Sequence, residues 1–150
     1  MSGPVLTPEL LRAYRETRFA ATTPRGALTI RVGGSCTELD ALCNEFSASS
    51  WTFITAWNPR SLPLPRSEND VRNDALLAAL TSIGARVFGG EGIGADPTWP
   101  PERSFLALGV DRATALELGR RFEQFAVVWG QRGGAAELLT CGEAAPLRAG

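Results

Sequence analysis

Short runs of apolar, β-branched and aromatic residues alternate along this chain with stretches of helical periodicity, and that alternation constrains the fold more than any other feature. Strands are expected at residues 27–32, 51–56, 86–88, 104–110, 125–129 and 137–140. Between the first two, Leu39, Leu42, Cys43 and Phe46 recur at i, i+3, i+4 and i+7, which marks one apolar helix face. An earlier helix opens at Thr7, a good N-cap, with Pro8 at its first position and Leu10, Leu11 and Tyr14 on its apolar side. Ser35 with Glu38, and Ser67 with Asp70, have the spacing of capping boxes. The second pair opens a helix that carries Leu76, Leu77, Leu80 and Ile83 and stops at Gly84. Asp111 caps the last helix, on which Ala115, Leu118, Gly119 and Phe122 share a face.

Read in order, these signals give α-β-α-β-α-β-β-α-β-β. Strand–helix–strand units imply parallel neighbours joined by right-handed crossovers. The expectation is therefore one α/β domain over residues 1–142, built on a mixed, mostly parallel sheet flanked by helices, with a frayed tail at 143–150. A chain of 150 residues, 44% hydrophobic and 21% charged, can bury a core without help from a metal or disulfide. Its net charge of −1 gives no reason to expect nucleic acid as a partner. No apolar run approaches the ~20 residues of a membrane span, so no membrane is expected. The start, Met1-Ser2-Gly3-Pro4, lacks the pattern of a signal peptide, and three cysteines without C-x-x-C spacing fit a reducing cytoplasm.

Two residue types are missing. There is no histidine, and all 15 basic residues are arginine. Ser-His-Asp and Cys-His catalysis within this chain are excluded, as are histidine-containing metal sites. Without lysine there is no Schiff base and no P-loop lysine. No cofactor is expected.

If the strands at 27–32, 51–56 and 86–88 are parallel, all three end at one edge of the sheet. The strand at 104–110 runs back and starts there, and the strand after it brings Gln124 to the same edge. That arrangement gathers Ser35, Asn58, Ser61, Asn69, Arg72, Glu91, Glu102, Ser104 and Gln124 on one rim, the edge where open α/β sheets bind ligands.

Several segments of this rim carry a resemblance. Phe53-Ile54-Thr55-Ala56-Trp57-Asn58-Pro59, then Glu68-Asn69, then Pro101-Glu102-Arg103-Ser104-Phe105 with Gly109, then Phe122-Glu123-Gln124, resemble the bacterial family known as domain of unknown function 3293. The likeness runs over about residues 10 to 140, and its most specific parts are the Thr-Ala-Trp-Asn-Pro and Pro-Glu-Arg-Ser-Phe segments. Phe122-Glu123-Gln124 departs from the Phe-Gly-Gln expected there. The resemblance implies no activity.

Each chemical reading has a plainer rival. Gly90-Glu91-Gly92-Ile93-Gly94-Ala95 fits G-x-G-x-x-A, but Asp96-Pro97 and Trp99-Pro100-Pro101 prevent the helix that a dinucleotide site needs, so the segment reads as a loop. Glu91, Asp96 and Glu102 could pair for acid–base work or hold Mg²⁺, or simply be solvated loop carboxylates. Cys36 falls in the first turn of a helix, where the dipole lowers a thiol pKa, or is a small part-buried residue. Asn69, Arg72 and Asn73 share a helix face beside Asn58, Arg60, Ser61 and Arg66, which suits phosphate or carboxylate, yet asparagines also brace loops. Pro59 biases Asn58 toward extended backbone. Trp57 and Trp99 could wall a site or sit under a loop. The leading expectation is a non-enzymatic module for a small anionic ligand or an acidic segment of a partner protein. The rival is a hydrolase or transferase with Glu91 or Glu102 as general base, with or without Mg²⁺.

Overall fold

The computed structural model describes residues 6–142, so the expected tail at 143–150 lies outside the described residues. Helix α1 spans Pro8–Glu16, and the Thr7 hydroxyl accepts from the Leu10 N–H at 3.1 Å, as the N-cap signal requires. Strands β1 (Arg18–Thr23) and β2 (Gly26–Ile30) form a hairpin, followed by helix α2 (Thr37–Glu45) and strand β3 (Ser50–Ile54). Helix α3 (Arg66–Ser82), strands β4 (Arg86–Ile93) and β5 (Glu102–Leu108), helix α4 (Arg112–Arg121) and strands β6 (Ala126–Gln131) and β7 (Glu137–Thr140) complete the order. Among the described residues no helix is long and apolar enough to cross a membrane.

The expected parallel sheet is not formed. Seven strands join in the order β2-β1-β4-β5-β3-β6-β7, and every neighbouring pair is antiparallel. The reason lies in two insertions. β1, which the sequence reading missed, lies between β2 and β4, and β5 lies between β4 and β3. β2, β3 and β4 do run in the same direction, but none of the three touches another. The sheet also curls. The Gly33 N–H donates to the Ala136 carbonyl at 2.7 Å and the Ala136 N–H to the Gly34 carbonyl at 2.9 Å, which ties the chain after one edge strand to the chain before the other.

Strand alternation divides the core into two layers. On one face Phe19, Ile30, Trp51, Phe53, Leu106 and Val128 pack with Leu39, Leu42 and Cys43 of α2. On the other, Ile54, Phe105, Ala107, Val127 and Trp129 pack with Leu76 and Leu80 of α3 and Ala115 and Leu118 of α4. Neither expected capping box forms: α2 is preceded by Cys36 and α3 by Pro65, and neither gives a side-chain cap. Asp111 does cap α4, accepting from the Thr114 N–H at 2.8 Å. The glycine-rich segment expected as a loop is largely strand. Gly90 sits in β4 because a Cβ there would collide with the Ala20 carbonyl oxygen and press on the Phe53 ring.

Candidate functional site

β3 leaves the sheet where β5 and β6 enter it and β4 ends, so the chain segments around residues 55–58, 92–96, 102–104 and 124–126 meet at one end of the curl. α2 covers the rest of that face. At this end no helix fills it, and a cavity of about 460 Å³ remains, bordered along one side by α1. Such a volume lies within the range of small-molecule sites. Phe19, Phe53, Val128 and Leu138 form apolar walls; Gly92, with no side chain, leaves space beside Phe19.

Glu102 supplies the cavity's main polar feature. It pairs across the sheet with Gly92, so its side chain is on the cavity face, and the neighbouring pair Glu91–Arg103 points to the other face. Its Oε2 accepts from the Asn58 amide at 3.3 Å and from the Trp99 indole N–H at 3.1 Å. Among the described residues no donor reaches Oε1. Burial pushes the Glu102 carboxyl above its ordinary value, against the pull of the bonds from Trp99 and Asn58. No arginine lines the cavity among the described residues. The nearby cations are committed elsewhere. Arg103 pairs with Asp70 at 3.4 Å, and Arg72 donates to the carbonyls of Ala56, at 2.8 Å, and Phe122 and pairs with Glu123 at 3.3 Å.

Asn58 is built into this arrangement from several sides. Its N–H donates to Asn69 Oδ1 at 2.8 Å, and its own Oδ1 accepts from the Leu64 N–H at 3.0 Å and the Asn69 amide at 2.8 Å. Its backbone is left-handed, φ 46° and ψ 71°, rather than extended. The bonds to fully buried Asn69 outweigh the proline bias, and asparagine tolerates that region. Arg60 and Ser61 follow at φ 51° and 61°, so three non-glycine residues of one short turn hold strained backbone beside the cavity. One helical turn along α3, Asn73 accepts from the Ala56 N–H at 2.9 Å and donates to the Arg103 carbonyl at 2.9 Å. The Thr55 hydroxyl donates to that same carbonyl at 2.7 Å. The Thr-Ala-Trp-Asn-Pro and Pro-Glu-Arg-Ser-Phe segments are thus bound to each other.

Of the expected ligand residues, Asn58, Ser61, Glu102, Ser104 and Gln124 line the cavity; Asn69, Arg72 and Glu91 do not. Asn69 and Arg72 are spent on holding the loop and the α4–β6 turn. Glu91 is exposed on the opposite face, which separates it from Glu102 and removes the expected carboxylate pair. Among the described residues no group of three or more histidine, cysteine, aspartate or glutamate side chains could hold a metal ion. Ser35 lies outside the cavity lining, beside the Gly33–Gly34 link to Ala136. The Ser104 hydroxyl donates to the Glu102 carbonyl at 2.9 Å, and the Gln124 amide to the Trp57 carbonyl at 3.3 Å. Trp99 lines the cavity; Trp57 does not.

Tyr14 is the residue that sequence reading placed only on a helix face. It lines the cavity, faces Ser61, and burial pushes its phenol up to about 12, with the charge of Glu102 acting in the same direction. Its position depends on where α1 docks, for which the local sequence holds no signal. The Cys36 thiol is raised, not lowered: burial acts first, and the Glu38 carboxylate at 3.7 Å adds to it. A family model described as Protein of unknown function (DUF3293) matches residues 54–127. That segment runs from the end of β3 to the start of β6 and contains both mutually bonded motifs. No curated protein and no solved structure matched the chain.

Proposed function

Starting from a chain that belongs, over residues 54–127, to this family of unknown function, we propose that the protein is a binding module for a small organic molecule seated in the cavity at the open end of the sheet. One observation carries the reading: a half-buried carboxylate, Glu102, stands in a largely apolar cavity with one oxygen bonded to Asn58 and Trp99 and, among the described residues, no donor on the other. Proteins seldom leave such a group without a partner, because burying an uncompensated charge is costly. The lining argues against the anion expected from sequence. Among the described residues its ionisable members are Tyr14, Glu16, Asp96 and Glu102, with no arginine. An anionic occupant would meet repulsion from every charged group in reach.

The enzyme reading keeps one point in its favour, a carboxyl whose pKa is raised, as general acid–base work requires. It has lost Glu91 as a second carboxylate. Glu102 is the residue that would carry such chemistry.

Saturation-transfer NMR with a mixed library of small neutral, cationic and anionic compounds tests the binding reading. Gly92→Val is the control, since a Cβ at that position meets only ordinary contacts, 3.9 Å from Phe19 and Thr17 carbons, while its methyls would occupy the cavity. Compounds that bind wild type and lose binding to Gly92→Val support the proposal. An absence of binders, or binders indifferent to Gly92→Val, would overturn it.

A further inference from the structure

Resting on that reading of the cavity, we infer that its occupant is an organic cation, an ammonium carried on an apolar or aromatic body, with the charged head on the open oxygen of Glu102. The geometry provides for each part of such a molecule. Glu102 Oε2 is occupied by the Asn58 amide at 3.3 Å and the Trp99 indole at 3.1 Å, which fix the carboxylate's orientation, and among the described residues no donor reaches Oε1. The remaining charged groups in the lining, Glu16 at the end of α1 and Asp96 in the β4–β5 loop, are also acidic. They add to the attraction for a cation without approaching Glu102 as a metal cluster.

The walls fit the same ligand. Phe19, Phe53, Tyr14 and Trp99 bring aromatic rings to the lining, and aromatic faces attract ammonium groups through their quadrupole. Below the head, Val128 and Leu138 offer apolar surface to a hydrocarbon body. Among the described residues no cation partners Glu102. Arg103 follows Glu102 directly and therefore points to the other sheet face, where it meets Asp70. Arg72 is tied to two backbone carbonyls and Glu123. A neutral alcohol could donate one hydrogen bond to Oε1 but would leave the carboxylate's charge uncompensated; an ammonium supplies both the bond and the charge.

The test is a calorimetric titration of the full chain at about pH 7.5, where simple amines are protonated and carboxylates ionised. The probes are phenethylamine, 2-phenylethanol and phenylacetate, which share a phenyl body and differ in the head, with octylamine and octanol as an aliphatic pair. The amines are expected to bind about tenfold or more tighter than the matched alcohols, as a hydrogen bond to a charged group predicts, and phenylacetate weakest. In Glu102→Gln the preference for amine over alcohol should fall to within about twofold, with alcohol affinity retained. Equal affinity of amines and alcohols, or tightest binding of phenylacetate, overturns the cation inference and leaves the cavity reading standing. An amine preference that survives Glu102→Gln overturns the role given to Glu102. If none of the five binds and the mixed library also finds no ligand, both readings fall together.

Discussion

Replacing Asn58 with alanine would leave the Leu64 N–H without its acceptor, and would take one bond each from the amide nitrogen of buried Asn69 and from Glu102 Oε2. Unpaired buried groups of this kind cost ~1–3 kcal/mol, so Asn58→Ala is expected to lose that much in chemical denaturation. A loss below about 0.5 kcal/mol, the scale of ordinary surface changes, would show that the amide does not brace the loop. Glu102 acts in the opposite sense. Its carboxyl is raised in the folded protein, so the fold prefers the neutral form. The stability it contributes is fully present below the unfolded pKa and is lost as pH rises through the folded value. Glu102→Gln keeps an acceptor for Trp99 and Asn58 without the charge. It should melt higher than wild type at about pH 7.5 and lose that advantage at about pH 4, where the wild-type group is protonated. An equal or lower melting temperature at the higher pH would mean that the charge is better compensated than the geometry indicates. A residue that lowers stability at working pH is what a binding site commonly retains.

At the scale of elements, the strands that sequence reading missed or shortened are the ones weakest in side-chain signal. β1 reads Arg-Phe-Ala-Ala-Thr-Thr, and two alanines among its six residues dilute the strand preference. Only its burial, with Phe19, Ala21 and Thr23 turned inward, shows the alternation. β4 carries three glycines, which in isolation mark a loop; here they mark close approach and open space. The two on the cavity face make different predictions. Gly90→Ala forces a Cβ against the Ala20 carbonyl and the Phe53 ring and should cost about 1–3 kcal/mol in urea denaturation, as overpacking does. Gly92→Val meets no such obstacle and should retain wild-type stability while closing the cavity. If both variants lose stability alike, the cavity beside Phe19 is not open as described. The expected capping boxes at Ser35 and Ser67 failed for a comparable reason, because a pattern of four residues does not fix where a helix begins when Cys36 or Pro65 precedes it.

Across the whole molecule, strand direction was legible and strand adjacency was not. β2, β3 and β4 run one way and β5 and β6 the other, as helix and strand order suggested, so the ends of β3 and β4 and the starts of β5 and β6 share one rim. For this reason Asn58, Ser61, Glu102, Ser104 and Gln124 gather even though the parallel sheet that motivated the grouping does not exist. Adjacency depends on contacts between distant segments, such as β1 with β4, that no local pattern encodes. The curl, the docking of α1 and hence the place of Tyr14 belong to the same class. Sequence reading also took arginines near the rim as a sign of an anion site. The structure turns Arg103 to the other face and binds Arg72 to carbonyls, so the charged side chains in the cavity lining among the described residues are the acidic Glu102, Glu16 and Asp96.

That state of Glu102 is the centre of the account, and its side-chain carboxyl can be followed directly by ¹³C NMR as pH is changed. The titratable groups that line the cavity with it are Tyr14 and Glu16 from α1 and Asp96 from the β4–β5 loop; no basic group joins them among the described residues. Its midpoint should lie above the ordinary glutamate value of 4.5, set by burial against the bonds from Trp99 and Asn58, and should fall when phenethylamine is added. A midpoint at or below 4.5 in the free protein would describe a solvated or already paired carboxylate and would contradict the account.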